Sequence, residues 1–188
     1  MKGAYIFLAD GFEDIEALGT LDILRRGGIP STTVSIQDIP EVTSAHGVTV
    51  LAECLLDEFL DEGADLEDIL VFPGGLPGAS NLAACKPLIA FTKCHFEHGG
   101  PVGAICAAPG LVVSQLSGIE GLKATCYDGF ESYLQEKGAV YTGEGTVTDG
   151  HLITGRGPAF AIEFGLAIVS YLKGPGKAAE IRKGLLLV

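Results

Sequence analysis

Cys106 stands in the run Ala104-Ile105-Cys106-Ala107-Ala108-Pro109, a thiol flanked two residues away on either side by alanines. A strand that reverses sharply into a helix needs this pattern: neighbours at that distance must be small, and the residue at the bend is held strained and pointing outward. A thiol there meets unpaired N–H groups and the positive end of the helix dipole, and both favour thiolate near neutrality. Pro109 suits the first turn of the following helix, where its missing N–H is no loss. The competing reading is a buried structural cysteine, since free Cys is among the most buried residue types. Cys54, Cys85, Cys94 and Cys126 lack an elbow context. Pro73-Gly74-Gly75 supplies backbone N–H groups that no side chain shields, so Gly74 and Gly75, with the N–H of Ala107, form a candidate oxyanion hole. Glu16 lies one turn beyond the first strand's loop and can face the same crevice, while Glu13 and Asp14 point elsewhere and cap or charge the helix start. A carboxylate beside a thiolate is unfavourable when both ionise. The stable arrangement is a protonated Glu16 donating to the sulfur, the alternative being a solvated helix acid.

These residues must be positioned by the elements around them. Ala4–Leu8, Ile69–Phe72 and Val102–Ile105 are short apolar runs of the kind buried in parallel sheets. Residues 32–36 form a β-branched strand, and residues 48–51 another, in a hairpin starting near Thr43. Helical periodicity covers Asp14 to Arg26, with Ile15, Leu18, Leu21, Ile23 and Leu24 on one stripe, and Gly27-Gly28 ends it. Further helices are expected at residues 87–97, 108–116, 130–136, 158–172 and 175–183, with a short strand near Ala124 and a hairpin over residues 147–154. Strand–helix alternation throughout predicts one doubly wound α/β sandwich over residues 1–188. Ligands of such sheets bind beyond the carboxyl ends of the strands, which selects the loops at Asp10–Glu13, Pro73–Gly75 and Cys106–Ala107.

Composition excludes several function classes. The 188 residues carry 24 Asp and Glu against 12 Lys and Arg, a net charge of −12. Ten of the acids, from Asp38 to Asp68, fall in a segment between Arg26 and Lys86 that has no Lys or Arg. No basic stripe is available to release counterions, so nucleic acid is not expected as a partner, and the acidic run reads as a solvated face. Five cysteines at uneven spacing, with no C-x-x-C, give no zinc pattern, and no metal is expected. Neither G-K-[ST] nor G-x-G-x-x-G follows a strand, which argues against a nucleotide cofactor. Residues 99–119 are uncharged but broken by Gly and Pro, too polar to span a membrane. The N-terminus enters a strand within a few residues, without a leader's apolar stretch, and reduced cysteines fit a cytoplasmic setting.

Taken in order, Gly11-Phe12-Glu13-Asp14-Ile15-Glu16, Asp22 to Ile29, Val71-Phe72-Pro73-Gly74-Gly75, Ala104 to Pro109 and Gly155-Arg156-Gly157-Pro158 resemble the ThiJ/PfpI superfamily. The nearest branch is that of the Parkinson disease protein deglycase and its bacterial relatives. The resemblance covers nearly the whole chain. It implies a flavodoxin-like, class I glutamine amidotransferase-like domain, a homodimer and no cofactor. At the site it implies an oxidisable nucleophile at Cys106, a protonated Glu16, and donors from Gly75 and Ala107. The implied activity is glyoxalase III or deglycase chemistry on a small carbonyl substrate, by a hydro-lyase or hydrolase. The alternative is a redox-switched chaperone acting on a client protein. Some members carry a thiazole biosynthesis label, for which no phosphate site is present here. Relatives that act as hydrolases place His directly after the nucleophile or in a late His-x-Glu, whereas here Ala107 follows Cys106 and Leu152 follows His151. Where some members carry a His twenty residues beyond the nucleophile, this chain has Cys126, either a resolving thiol for oxidised Cys106 or an apolar filler. His46 stands where relatives have a basic residue and, with Arg26 and Arg156, completes the accessory candidates.

Overall fold

The computed structural model describes residues 3–187. In chain order the strands are β1 (Ala4–Leu8), β2 (Ser31–Ser35), β3 (Glu41–Thr43), β4 (Thr49–Leu51), β5 (Cys54–Leu55), β6 (Ile69–Phe72), β7 (Val102–Ile105), β8 (Lys123–Ala124), β9 (Val140–Tyr141), β10 (Thr146–Asp149) and β11 (Leu152–Gly155). The α-helices are α1 (Thr20–Arg26), α2 (Leu56–Glu62), α3 (Gly78–Ala84), α4 (Lys86–Glu97), α5 (Ala108–Leu111), α6 (Glu131–Gln135), α7 (Ala161–Lys173) and α8 (Pro175–Gly184).

Seven strands form the central sheet in the order β10-β11-β7-β6-β1-β2-β5, parallel except for the β10–β11 hairpin. Without the two edge strands, β2-β1-β6-β7-β11 has the 2-1-3-4-5 order of flavodoxin-like sheets, with the direction of winding reversing between β1 and β6. The expected mostly parallel, doubly wound sandwich is present. Period-2 alternation divides the sheet's side chains between two apolar layers. Ile6, Leu8, Ile69, Val71, Ile105 and Ile153 face the layer containing Phe164 and Ile168 of α7. Phe7, Leu70, Phe72, Val102, Ala104 and Leu152 face the other, with Phe59 of α2 and Leu88 of α4.

Three sequence expectations change. The helix expected over Asp14–Arg26 is not uniform: Ile15–Gly19 is a π-helical turn and only Thr20–Arg26 is α-helical. The hairpin near Thr43 exists, but β3 and β4 form their own two-stranded sheet outside the central one. The acidic segment is more than a solvated face. Asp68 is buried, its Oδ1 accepting the Gly3 N–H at 2.6 Å and its Oδ2 the Asp65 N–H at 3.0 Å. Glu53 holds Arg25 at 2.8 Å, and Glu58 caps the Leu55 N–H at 2.8 Å.

Candidate functional site

The β1 and β6 loops meet at the point where the winding reverses. On a regular helix Ile15 would face the core; in the π-turn it is 55% exposed, while Glu16 and Ala17 are buried. A π-turn inserts an extra residue into the helical ladder and so re-aims the side chains around it, here turning a carboxyl into the apolar interior. Glu16 Oε2 accepts the Gly74 N–H at 2.8 Å. Its Oε1 is buried with no hydrogen-bond partner, and the Cys106 sulfur lies on the same side of Gly74 as the carboxyl. The turn is held from behind. Glu13 Oε2 accepts the Glu16 N–H at 2.7 Å, and the Glu13 N–H donates to the Gly74 carbonyl at 3.0 Å.

Two glycines allow this approach. A Cβ on Gly74 would lie 2.5 Å from Cys106 Cβ and 2.6 Å from Glu16 Oε2. Gly75 has φ +87°, and a Cβ there would lie 2.4 Å from the Glu13 nitrogen. The expected oxyanion set therefore needs one correction: the Gly74 N–H is engaged by Glu16, leaving the amides of Gly75 and Ala107 to act on the Cys106 sulfur.

Cys106 itself sits at φ 65°, in the left-handed region that a non-glycine residue enters only when its surroundings enforce it. Those surroundings are identifiable. Its N–H donates to the Gly155 carbonyl at 2.9 Å, its carbonyl accepts the Tyr127 N–H at 2.8 Å, and Ala104 and Ala108 are fully buried on either side. Beside these two gripping segments lies a cleft of about 220 Å³ lined by Tyr127, Asp128, Arg156 and residues 157–160.

The electrostatics differ from a simple depressed thiol. Burial pushes Glu16 up to about 7, the hydrogen bonds from Cys106 and the Gly74 N–H acting against it and the Glu13 charge adding to it. Burial, then the charge of Glu16, push Cys106 up to about 12, with the Gly75 and Ala107 amides pulling down. The two groups titrate as a pair, so the sulfur becomes an anion readily only while the acid keeps its proton.

The accessory candidates have partners of their own, although Cys126 and Arg156 adjoin the Tyr127 and Gly155 positions that grip Cys106. His46 is exposed and bonds Asp14 through Nδ1 at 2.7 Å, which raises its pKa; Asp14 also accepts Ser44 Oγ at 2.6 Å. Arg26 pairs with Asp22 at 2.7 Å on the surface of α1. Arg156 spans Asp128, at 2.7 Å, and the Gly143 carbonyl, at 2.9 Å, on the rim of the cleft. Cys126 is fully buried in the layer opposite to that of Cys106, its charged neighbours being Glu131, Asp128 and Arg156. Among the described residues, the donor atoms of Glu13, Asp14 and His46 lie within 4.8 Å of one another, but hydrogen bonds to the Glu16 N–H, to Ser44 and within the group account for that gathering. No helix among the described residues is long and apolar enough to cross a membrane.

Sequence reasoning placed Glu13 at the helix start but missed its hold on Glu16. The i, i+3 spacing of the two glutamates was the available signal.

Known proteins share this arrangement of strands and loops. Protein DJ-1 homolog B of Arabidopsis thaliana is 36% identical over 186 residues, and the chain spans 42% of that protein's length. The glutathione-independent glyoxalase DJR-1.2 of Caenorhabditis elegans is 34% identical over 99% of this chain and 97% of its own. Oxidized Toxoplasma gondii DJ-1 superposes with a TM-score of 0.91 at 30% identity, over 99% of this chain and 98% of that one. The model of the DJ-1/PfpI family matches residues 2–171, which include the π-turn, the glycine loop and the cysteine elbow. The chain belongs to the DJ-1/PfpI family.

Proposed function

We propose that the protein converts small reactive dicarbonyls of the methylglyoxal type to hydroxy acids, using Cys106 as nucleophile and Glu16 as the proton carrier. The observation that carries this reading is the buried Glu16–Cys106 pair, in which Glu16 keeps one carboxyl oxygen, Oε1, outside any hydrogen bond. The Cys106 thiolate adds to the aldehyde carbon, and the resulting alkoxide takes the Glu16 proton to give a hemithioacetal. Glu16, now a carboxylate, removes that carbon's hydrogen as a proton to give an enediol and delivers it to the adjacent carbon. The hydroxyl proton passes to the former ketone oxygen, leaving a thioester of the hydroxy acid. Water cleaves the thioester, releases the acid and restores the thiol. The net change is addition of one water to the dicarbonyl, without an external oxidant or reductant. The amides of Gly75 and Ala107 stabilise the sulfur anion before attack and when it leaves the thioester. A neutral substrate is not repelled by a chain of charge −12. The glyoxalase name of the Caenorhabditis elegans relative supports the same reading.

The test is lactate formation from methylglyoxal by the purified protein. Glu16→Gln cannot carry a proton between carbons and is expected to lose about 10²- to 10⁴-fold in turnover, while Cys106 remains available to alkylating agents. Absence of lactate with the unmodified protein at millimolar methylglyoxal would remove the enzymatic reading. A second reading, a redox sensor or chaperone switched by Cys106 oxidation, draws on the oxidized state of the Toxoplasma gondii relative. It predicts an unchanged response to peroxide in a Glu16→Gln protein that no longer turns over. A homodimer is proposed as well. Ile15, Val48 and Leu51 are exposed apolar residues on the π-turn and the β3–β4 hairpin, which the Ala45 N–H ties to the Phe12 carbonyl at 2.8 Å.

A further inference from the structure

Arg156 is placed beside the nucleophile by strand register. Ile105 pairs with Gly155 where the parallel strands β7 and β11 end, so Cys106 and Arg156 are the first residues beyond two adjacent strand ends. Such strands lie about 5 Å apart, and ligands of these sheets bind at this carboxyl edge. Arg156 Nε and Nη2 donate to Asp128 Oδ1 at 3.2 and 2.7 Å. Its Nη1 donates to the Gly143 carbonyl at 2.9 Å, and its backbone N–H to the Gly145 carbonyl at 2.9 Å. A neutral loop therefore holds the guanidinium in place independently of Asp128. The edge formed by Nε and Nη2, which suits a carboxylate or a phosphate, is taken by Asp128. The rest of the cleft lining, Tyr127 and residues 157–160, carries no charge.

We propose that Asp128 is a specificity-determining residue: by occupying Arg156 it keeps anions out of the cleft and selects neutral 2-oxoaldehydes over those bearing a carboxylate or phosphate. An anion reaching this rim must either displace Asp128 from Arg156 or face the Asp128 charge, and the net charge of −12 opposes it further. With Asp128 neutral, the guanidinium edge becomes an open anion contact held ready by the Gly143 carbonyl. The Asp128 side chain is 72% exposed, and a surface pair of this kind adds little to stability. Its charge can therefore be removed without unfolding the chain, and the change appears in selectivity.

The inference rests on the Cys106 dicarbonyl reading above, but its readout needs no dicarbonyl. Iodoacetamide and iodoacetate are close in size and differ in charge, and the Cys106 sulfur displaces iodide from either. The ratio of their rates at Cys106, followed in the full chain by peptide mass spectrometry, cancels any change in the thiol's own ionisation. In Asp128→Asn the iodoacetate-to-iodoacetamide ratio is expected to rise about threefold to tenfold. Glu144→Gln removes an acid from the loop that supplies the Gly143 carbonyl and is expected to change the ratio by less than about twofold. In an Arg156→Gln background Asp128→Asn is likewise expected to stay within about twofold, because no guanidinium is left to be freed. An unchanged ratio in Asp128→Asn, or an equal rise in Glu144→Gln or in the Arg156→Gln background, would overturn the proposal. Should Arg156→Gln not fold, ionic strength makes the comparison: going from about 20 to about 500 mM salt is expected to lower the ratio in Asp128→Asn and raise it in the unmodified protein. A rise in both would overturn it as well. Missing lactate formation together with the Asp128 dependence would sink the dicarbonyl reading and leave charge selection at Cys106 standing; lactate formation with an unchanged ratio would do the reverse.

Discussion

Cys106 and Cys126 are both buried thiols, burial pushes both up to about 12, and both have carboxylates nearby. By those measures they are equivalent, yet their surroundings differ in kind. At Cys106 the neighbouring acid is itself buried and raised to about 7, so it holds a proton for much of the time at neutral pH. At Cys126 the acids are Glu131 and Asp128, which act on the sulfur through their charge, and Arg156 is the compensating charge. Cys106 has two amides aimed at its sulfur and a backbone forced to φ 65°; Cys126 lies in a conventional apolar layer. Burial alone therefore does not mark a reactive thiol. What distinguishes Cys106 is a buried acid beside its sulfur, and dipoles fixed in place before any charge forms.

The most direct way to break this contrast is to remove each sulfur in turn. Cys106→Ala is expected to lower dicarbonyl turnover by at least about 10³-fold, whereas Cys126→Ala leaves it within about threefold. Lactate formation by both variants at matched concentration is the measurement. Equal losses would mean that the two thiols work together, against their placement in opposite layers.

A gentler perturbation keeps both sulfurs and disturbs only the space between thiol and acid. In Gly74→Ala the added methyl must displace Cys106 Cβ or Glu16 Oε2, which it would otherwise meet at 2.5 and 2.6 Å. Overpacking of this kind costs about 1–3 kcal/mol of stability, and misplacing the pair is expected to lower turnover by about 10²-fold. Urea unfolding and lactate formation together separate the two effects. Cys126 should stay as unreactive toward alkylating agents as before.

Much of this site was legible in the sequence because its signals are local. Apolar runs bounded by turns gave β1, β6 and β7 their correct bounds, and alanines two residues from Cys106 marked the elbow. What escaped depends on partners distant in sequence. Gly74 was read as an oxyanion donor because nothing local shows that its N–H is taken by a carboxyl 58 residues earlier. The π-turn was missed because Ile15, Leu18, Leu21 and Leu24 fit a regular helical stripe, which one inserted residue overrides at its first member. The two-residue strands β5 and β9 carry no period. Helix α2 has only Leu56 and Phe59 as buried anchors among four acids, so it was submerged in the acidic run. Charge counted without partners cannot show that Asp68 is a buried brace.

The smallest expected effect sharpens the contrast through stability instead of rate. Glu16 has an ordinary pKa of 4.5 and a folded-state value of about 7, so the folded protein binds this proton more tightly than the unfolded chain. Its contribution to stability is complete below 4.5 and is lost as the pH rises through about 7, the opposite of a carboxylate held low by a salt bridge. Glu16→Gln has no proton to lose. Between about pH 5 and pH 8 the unmodified protein should therefore lose about 1–3 kcal/mol of stability relative to Glu16→Gln. Urea midpoints across that range give the difference directly. Cys126→Ala should follow the unmodified protein's slope, since it leaves Glu16 and its proton in place. A flat difference between Glu16→Gln and the unmodified protein would mean that Glu16 is ionised throughout. In that case the sulfur beside it would face a fixed negative charge and could not serve as a nucleophile near neutrality.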